Sequence, residues 1–236
     1  MPVEPTSALA AAVAGAATGH VPVRIRRFRT GAAHHVFEAL FADARPAVVV
    51  RMGTPGRRVG MRGGVRLNRL LRPLGVPLPE VIAEGLDEPF PWVVLERLPG
   101  TDLGRVIGAL SDGQLRVVAA GVAAAQAAAA RVGSAGRYGY AAAPQTAPHA
   151  AWSCVLDANL DRSRARIRAA GLFGTGPVDE VAALVARRRD ELDAMPATAF
   201  LHDTTTRNVI VAPDGRTCGI VDVDDLCFGD PRYVTA

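Results

Sequence analysis

The stretch "NVIVAPDGRTCGIVDV", residues 208–223, constrains the fold of this chain more than any other. Two runs rich in β-branched residues are joined by Pro213, Asp214 and Gly215. Proline presets a turn dihedral and glycine supplies positive φ, so the pattern predicts a β-hairpin. Folding it about Asp214–Gly215 brings Asn208 opposite Val221, with Asp222 beside it, to within one residue of register. The approach to the hairpin is unusual. In "FLHDTTTRNVIV", residues 200–211, apolar Phe200 and Leu201 precede a polar block, and Val209–Val211 follow it. Strands on both sides would hold this polar loop rigidly, with Asp203 leading into the hairpin end that carries Asn208 and Asp222.

Two carboxylates and an amide oxygen at one strand end form an all-oxygen donor set. Such a set suits a hard cation such as Mg²⁺, which takes one or two carboxylates plus phosphate and water. The D-x-x-x-x-N spacing alone is equally compatible with a loop whose aspartate and threonines cap their own backbone. The added hairpin and Asp222 favour the site.

Elsewhere the pattern is mixed. "VPVRIRRF" alternates apolar with basic residues, "HHVFEALF" follows a turn, and "VVVRM" spans 48–52; together they predict a three-stranded antiparallel meander. Residues 61–74 predict a helix broken by "GVPLP", and "PWVVLERL" at 91–98 a strand ending in "PGTD". Ser111 and Gln114 have capping-box spacing, opening an Ala-rich helix to about Val132. Residues 133–150 read as loop, and 152–170 and 177–194 as helices. The fold class is therefore α+β. A β-rich N-terminal lobe, 1–99, precedes a mainly helical lobe, 100–236, that contains one hairpin.

Composition narrows the function. All 27 basic residues are arginine and the net charge is +4, but the arginines are scattered and aromatics are few. No nucleic-acid partner is expected from such a surface. Three cysteines without C-x-x-C spacing point to a reducing, cytoplasmic setting. The Ala-rich N-terminus carries Glu4 and no positive charge, which argues for a short helix over a signal peptide. The apolar run 117–132 is short and weakly apolar for a membrane span, so no membrane partner is expected. His34, His35 and His202 lack zinc-site spacing. Asp157 and Asp161, four apart on one helical face, need a positive partner; Arg164 or a cationic substrate would supply it.

Asp203-x-x-x-x-Asn208, the hairpin, and "IVDVDDLCFGDP" resemble the aminoglycoside phosphotransferase-like kinases, relatives of protein kinases. "VVVRM", "RLLRPLGVPLPEV" and "PWVVLERLPGTDL" extend the resemblance in the same order over most of the chain. It implies a two-lobed protein-kinase-like fold, truncated here at the C-terminus because the family continues into further helices. It also implies a Mg²⁺-dependent kinase that uses ATP, or GTP, to phosphorylate a hydroxyl of a small molecule such as an aminoglycoside. A nucleotide-binding pseudokinase is the alternative. By position, Asp203 would be the catalytic base, Asn208 and Asp222 the metal ligands, and Arg51 the contact to the α- and β-phosphates. Gly31 lies in the turn that takes the place of the nucleotide-covering loop, although a plain hairpin turn explains it equally well. Glu96 lies in the hinge strand, whose backbone would meet adenine. Asp230 in "GDP" would brace the catalytic loop. Leu201 and His202 stand where the family has histidine and glycine, and Val223 replaces an aromatic residue. The helix glutamate that should pair with Arg51 is missing; Gly63 or Gly64 holds its place, and Arg51 is left without an obvious partner.

Overall fold

Helix α1 (Ser7–Thr18) starts where the Thr6 hydroxyl accepts the Leu9 N–H at 3.2 Å and ends where Gly19 turns left-handed at φ 72°. The computed structural model describes residues 4–28, 34–42 and 44–234. The expected turn glycine, Gly31, lies outside them. Chain contacts group the described residues into two units. One runs to Ala128 and also includes Asp203–Asp224; the other comprises Ala129–His202 and Asp225 onward. This division differs from the expected one at 99/100. The hairpin pairs with the strand at 101–102 and packs on the Ala-rich helix, so these segments join the sheet-bearing unit.

In the first unit, β1 (Arg24–Arg27), β2 (His35–Leu40), β3 (Val48–Met52), β4 (Val81–Gly85) and β5 (Trp92–Glu96) form an antiparallel sheet in the order β1-β2-β3-β5-β4. The meander is its first half; β4 follows the proline-rich break. Side chains alternate faces along β3. Val48, Val50 and Met52 are buried with Phe37, Ala39 and Val94 against Ala10, Val13 and Ala14 of α1. On the opposite face, α2 (Arg58–Leu71) buries Met61 and Val65 with Val93 and Leu86. The period of two turns Arg51 away from α1, towards α2.

The polar loop sits on a smaller sheet. Strand β9 (Val209–Val211) lies between β10 (Thr217–Ile220) and β6 (Thr101–Asp102). The hairpin closes through the Ala212 N–H to Arg216 carbonyl bond at 2.9 Å, with Gly215 at φ 84°. Gly100 is required for the β6 approach: its φ is 112°, and a Cβ there would lie 2.2 Å from the Val211 carbonyl oxygen. Val209 and Val211 are buried with Leu103 of α3 (Leu103–Val106) and Val118 of α4 (Asp112–Ala129). Each buried valine stabilises by roughly 1.5–3 kcal/mol, which anchors one end of the loop. The capping box at the start of α4 forms as expected: the Ser111 N–H donates to Gln114 at 2.9 Å and the Gln114 N–H to Ser111 at 3.3 Å. With a 3₁₀ turn, this helix runs Asp112–Val132 (21 residues), long and apolar enough by length and composition alone to cross a membrane. The run 117–132, expected to be short for a span, lies inside this longer helix.

In the second unit, β7 (Gly139–Ala141), β11 (Leu226–Gly229) and β8 (Thr198–Phe200) form a sheet with β11 central. Strand β7 lies within the span expected to be loop; alternation is too short to see in three residues. Helix α5 (Trp152–Ala170) is where expected, whereas 177–194 divides into α6 (Gly176–Arg187) and α7 (Arg189–Asp193) at Arg188. Trp152, Val155, Phe200, Tyr138 and Cys227 form the core. Gly229 permits it, since a Cβ there would lie 2.2 Å from the Trp152 ring.

Candidate active site

The loop after buried Leu201 is pinned by its own backbone and by its neighbours. The Gly104 N–H donates to the Thr206 carbonyl at 2.8 Å, and the Asn208 N–H donates to the Thr205 carbonyl at 2.9 Å. Gln126 of α4 donates to the Thr204 hydroxyl at 3.3 Å. The three threonines therefore serve the loop's shape, and Asp203 and Asn208 are presented at its ends.

Asn208 uses its amide nitrogen twice. It donates to the Asp203 carbonyl at 2.9 Å and to the Asp203 carboxylate at 3.0 Å. Both partners are acceptors, so the NH₂ must face them, and the amide oxygen is left available for a cation. The Val221 N–H donates to the Asn208 carbonyl at 2.9 Å, and Ile220 pairs with Val209. Asn208 is thus opposite Val221, and Asp222 follows immediately. Asp222 has φ 65°, a left-handed conformation that Asp tolerates better than most residues. Its side chain is half-exposed. Asn208 and Asp222 offer only oxygen atoms and could hold a hard cation such as Mg²⁺; no group of three or more His, Cys, Asp or Glu suited to a metal occurs among the described residues.

Arg51 is not without partners. Its Nη1 donates to Asp224 Oδ1 at 2.7 Å, and its Nη2 to Asp224 Oδ2 at 2.6 Å and to Asp222 Oδ1 at 2.8 Å. His34 Nε2 lies 3.4 Å from Asp224 Oδ2. Burial alone would push the Asp224 carboxyl up. Hydrogen bonds from His34 and Arg51, with the Arg51 charge, outweigh it and hold Asp224 well below the usual carboxylate range. A cavity of about 50 Å³ adjoins this cluster between α2, β4 and β5, lined by Arg51, Gly64, Asn68, Val93 and Asp222.

Other expected residues have different surroundings. The Glu96 carboxylate accepts the Glu80 N–H at 3.1 Å, and the Glu96 N–H donates to the Glu80 carbonyl at 2.9 Å. Asp230 accepts bonds from Arg232 at 2.8–3.1 Å, since Arg232 follows two residues on and can fold back over it. Asp161 is paired with Arg164 at 3.0 Å and Asp157 with Arg189 at 2.9 Å, so both are answered from within the unit.

Sequence reasoning missed Asp224, and it missed a second pair. His202 Nε2 lies 2.6 Å from Asp225 Oδ1, with its ring edge-on to Tyr140 at 4.9 Å. The run "DVDD" and a histidine in a glycine position were the available signals, but nothing in them says which carboxylate meets which base.

The model of the phosphotransferase enzyme family matches residues 24–233 of this chain. No curated protein sequence matches. Among solved structures, a putative fructosamine-3-kinase from Haemophilus somnus is similar with a TM-score of 0.66 at 16% identity, over 95% of this chain and 74% of that one. An aminoglycoside phosphotransferase from Streptomyces rimosus, in complex with ADP and streptomycin, gives 0.62 at 15% over 96% and 80%. A thermostable mutant of a second aminoglycoside phosphotransferase, in ternary complex with AMP-PNP and hygromycin B, gives 0.60 at 20% over 95% and 74%. The α+β fold expected from the sequence, the protein-kinase-like one, is the fold shared with these structures.

Proposed function

The chain belongs to the phosphotransferase enzyme family, and from that premise we propose that it transfers the γ-phosphoryl group of ATP to a hydroxyl of a small molecule with the help of Mg²⁺. The observation that carries the reading is the Asn208 amide, turned by Asp203 so that its oxygen is available beside Asp222. Asp203 would accept the proton of the substrate hydroxyl. The hydroxyl oxygen would bond to the γ-phosphorus as the bond to the bridging oxygen breaks and ADP leaves. Asn208 and Asp222 would hold Mg²⁺, which when bound neutralises phosphate charge and orients the phosphates. Arg51 would bind the α- and β-phosphates, a role its planar fork suits. Glu96 would lie by adenine through its backbone. Phosphoryl transfer asks for positioning and charge neutralisation more than covalent help, and these residues supply both.

The names of the similar structures support a hydroxyl-bearing compound as the substrate, an aminoglycoside or a fructosamine. The setting would be the cytoplasm, where ATP and Mg²⁺ are at hand. A second reading is a nucleotide-binding module without turnover; it is favoured by the engagement of Arg51 with Asp222, a proposed metal ligand. ADP release from Mg²⁺-ATP, measured against hygromycin B, streptomycin, gentamicin and a fructosamine, separates the two. Release above the substrate-free rate, lost in Asp203→Ala, supports the kinase. ATP binding with no release by any compound favours the module, and absence of ATP binding sinks both.

A further inference from the structure

Arg51 is bound by two carboxylates on unequal terms. Asp224 takes two parallel bonds, one from each terminal nitrogen, at 2.7 and 2.6 Å. Asp222, whose side chain is 50% exposed against 31% for Asp224, takes one, at 2.8 Å. The two-bond fork is the stronger and more directional arrangement, and its lower exposure shields it from competing water. Asp222 is the carboxylate that can be given up.

Asp224 reaches Arg51 only because Gly64 has no side chain. Helix α2 turns Met61, Gly64, Val65 and Asn68 towards the sheet, and Gly64 is the member of that face against which Asp224 lies. A Cβ at position 64 would lie 2.6 Å from Asp224 Oδ1 and 3.4 Å from the Val223 carbonyl oxygen. Real contacts of Cβ are essentially never that short, so any larger residue would displace the carboxylate. The bare position is therefore the seat of Asp224.

We propose that Asp224, seated on Gly64, is the positioning residue that holds the Arg51 guanidinium for nucleotide phosphate, and that Asp222 is its exchangeable partner, released to the metal. The inference rests on the nucleotide-binding reading above. Arg51 has five N–H donors. Two fixed on Asp224 set the plane of the fork, and the bond given up by Asp222 becomes available to a phosphate oxygen. A long side chain held in one plane loses less freedom on binding phosphate than a free one.

The experiment measures ADP and ATP affinity by calorimetry, with Mg²⁺ and in EDTA, on the full chain. Asp224→Asn should weaken both nucleotides in both conditions, by about 10- to 100-fold for a lost charge-assisted pair. Asp222→Asn should lose affinity only in the presence of Mg²⁺. Gly64→Ala, which alters no charge, should reproduce the Asp224→Asn loss by displacing the carboxylate, and it serves if Asp224→Asn fails to fold. In the double variant Asp224→Ala with Gly64→Asp, a carboxylate delivered from α2 should recover affinity relative to Asp224→Ala alone, and should lower KM for ATP more than it raises kcat. A merely structural role for Asp224 would not be rescued from another element. Unchanged affinity in Asp224→Asn or, where that variant does not fold, in Gly64→Ala overturns the proposal, as does absence of rescue in a folded double variant. If the unaltered chain binds neither nucleotide, the nucleotide-binding reading itself fails, which is a distinct result.

Discussion

Replacing Asn208 by alanine removes two bonds and, on the proposed reading, one metal ligand, and the structure says how unequal the consequences should be. The amide donates to a carbonyl at 2.9 Å and to a carboxylate at 3.0 Å. A neutral bond contributes about 0.5–1.5 kcal/mol and one to a charged group about 1.5–3. The loop is exposed at Asp203, so water replaces much of what is lost, and a net cost of about 1–2 kcal/mol follows. That lowers Tm by roughly 2–8 °C for a chain of this size. The effect on turnover should be larger. Asp203 loses the donor that fixes its carboxylate, and misplacement by ~1 Å can cost about 10²-fold in rate before the lost ligand is considered. Asn208→Asp keeps an oxygen for a cation but puts a carboxylate where a donor was needed beside Asp203, so it should not restore the rate. The assay pairs thermal unfolding without ligand with ADP release at saturating Mg²⁺-ATP. A near-normal kcat in Asn208→Ala would refute the argument, because neither the orientation of Asp203 nor metal binding could then depend on this amide.

Asp203→Ala should retain ATP binding by calorimetry and lose about 10²–10⁴-fold in kcat, the usual share of a positioned base. Asp157→Asn with Asp161→Asn should leave KM for amine-bearing substrates unchanged, because Arg189 and Arg164 already pair these carboxylates; a raised KM would return them to the substrate. Stability should fall as pH rises from about 9 towards 12, followed by chemical denaturation. Burial, then the nearby Asp225 charge, pushes the Cys227 thiol from 9.0 up to about 12, and chiefly burial pushes the Tyr140 phenol from 10.0 up to about 12. Both groups keep their protons in the fold over a range where the unfolded chain has lost them, so the stability present below their ordinary values is lost through the folded ones. Tyr140→Phe should flatten that slope. Gly100→Ala should destabilise by more than ~1 kcal/mol in thermal unfolding, because its φ of 112° and the 2.2 Å approach to Val211 both oppose a side chain.

Much of the fold was legible in local sequence. Strand β3 follows from the apolar run Val48–Val50 just before Arg51, the hairpin from Pro213-Asp214-Gly215, and the start of α4 from the Ser111 and Gln114 spacing, because each signal lies within a few residues of what it controls. The same locality brought Asn208 opposite Val221, since a two-stranded turn has few registers to choose from. Strands β7 and β11 were not legible: they contain three and four residues, and their pairing partners lie far along the chain.

The chain by itself determined which residue types stand at the hairpin end: an aspartate before it, an asparagine at its start, and an aspartate after it. Tertiary structure decided the partner of Arg51. The bonds to Asp224 join residues 173 apart, and they depend on a glycine in α2 that carries no chemistry of its own. Periodicity and turn chemistry describe neighbours along the backbone. Which of Asp222, Asp224 and Asp225 meets Arg51 and which meets His202 is set by how the backbone turns after β10, with Asp222 at positive φ, and by what space α2 leaves. Close packing, not local preference, makes that choice.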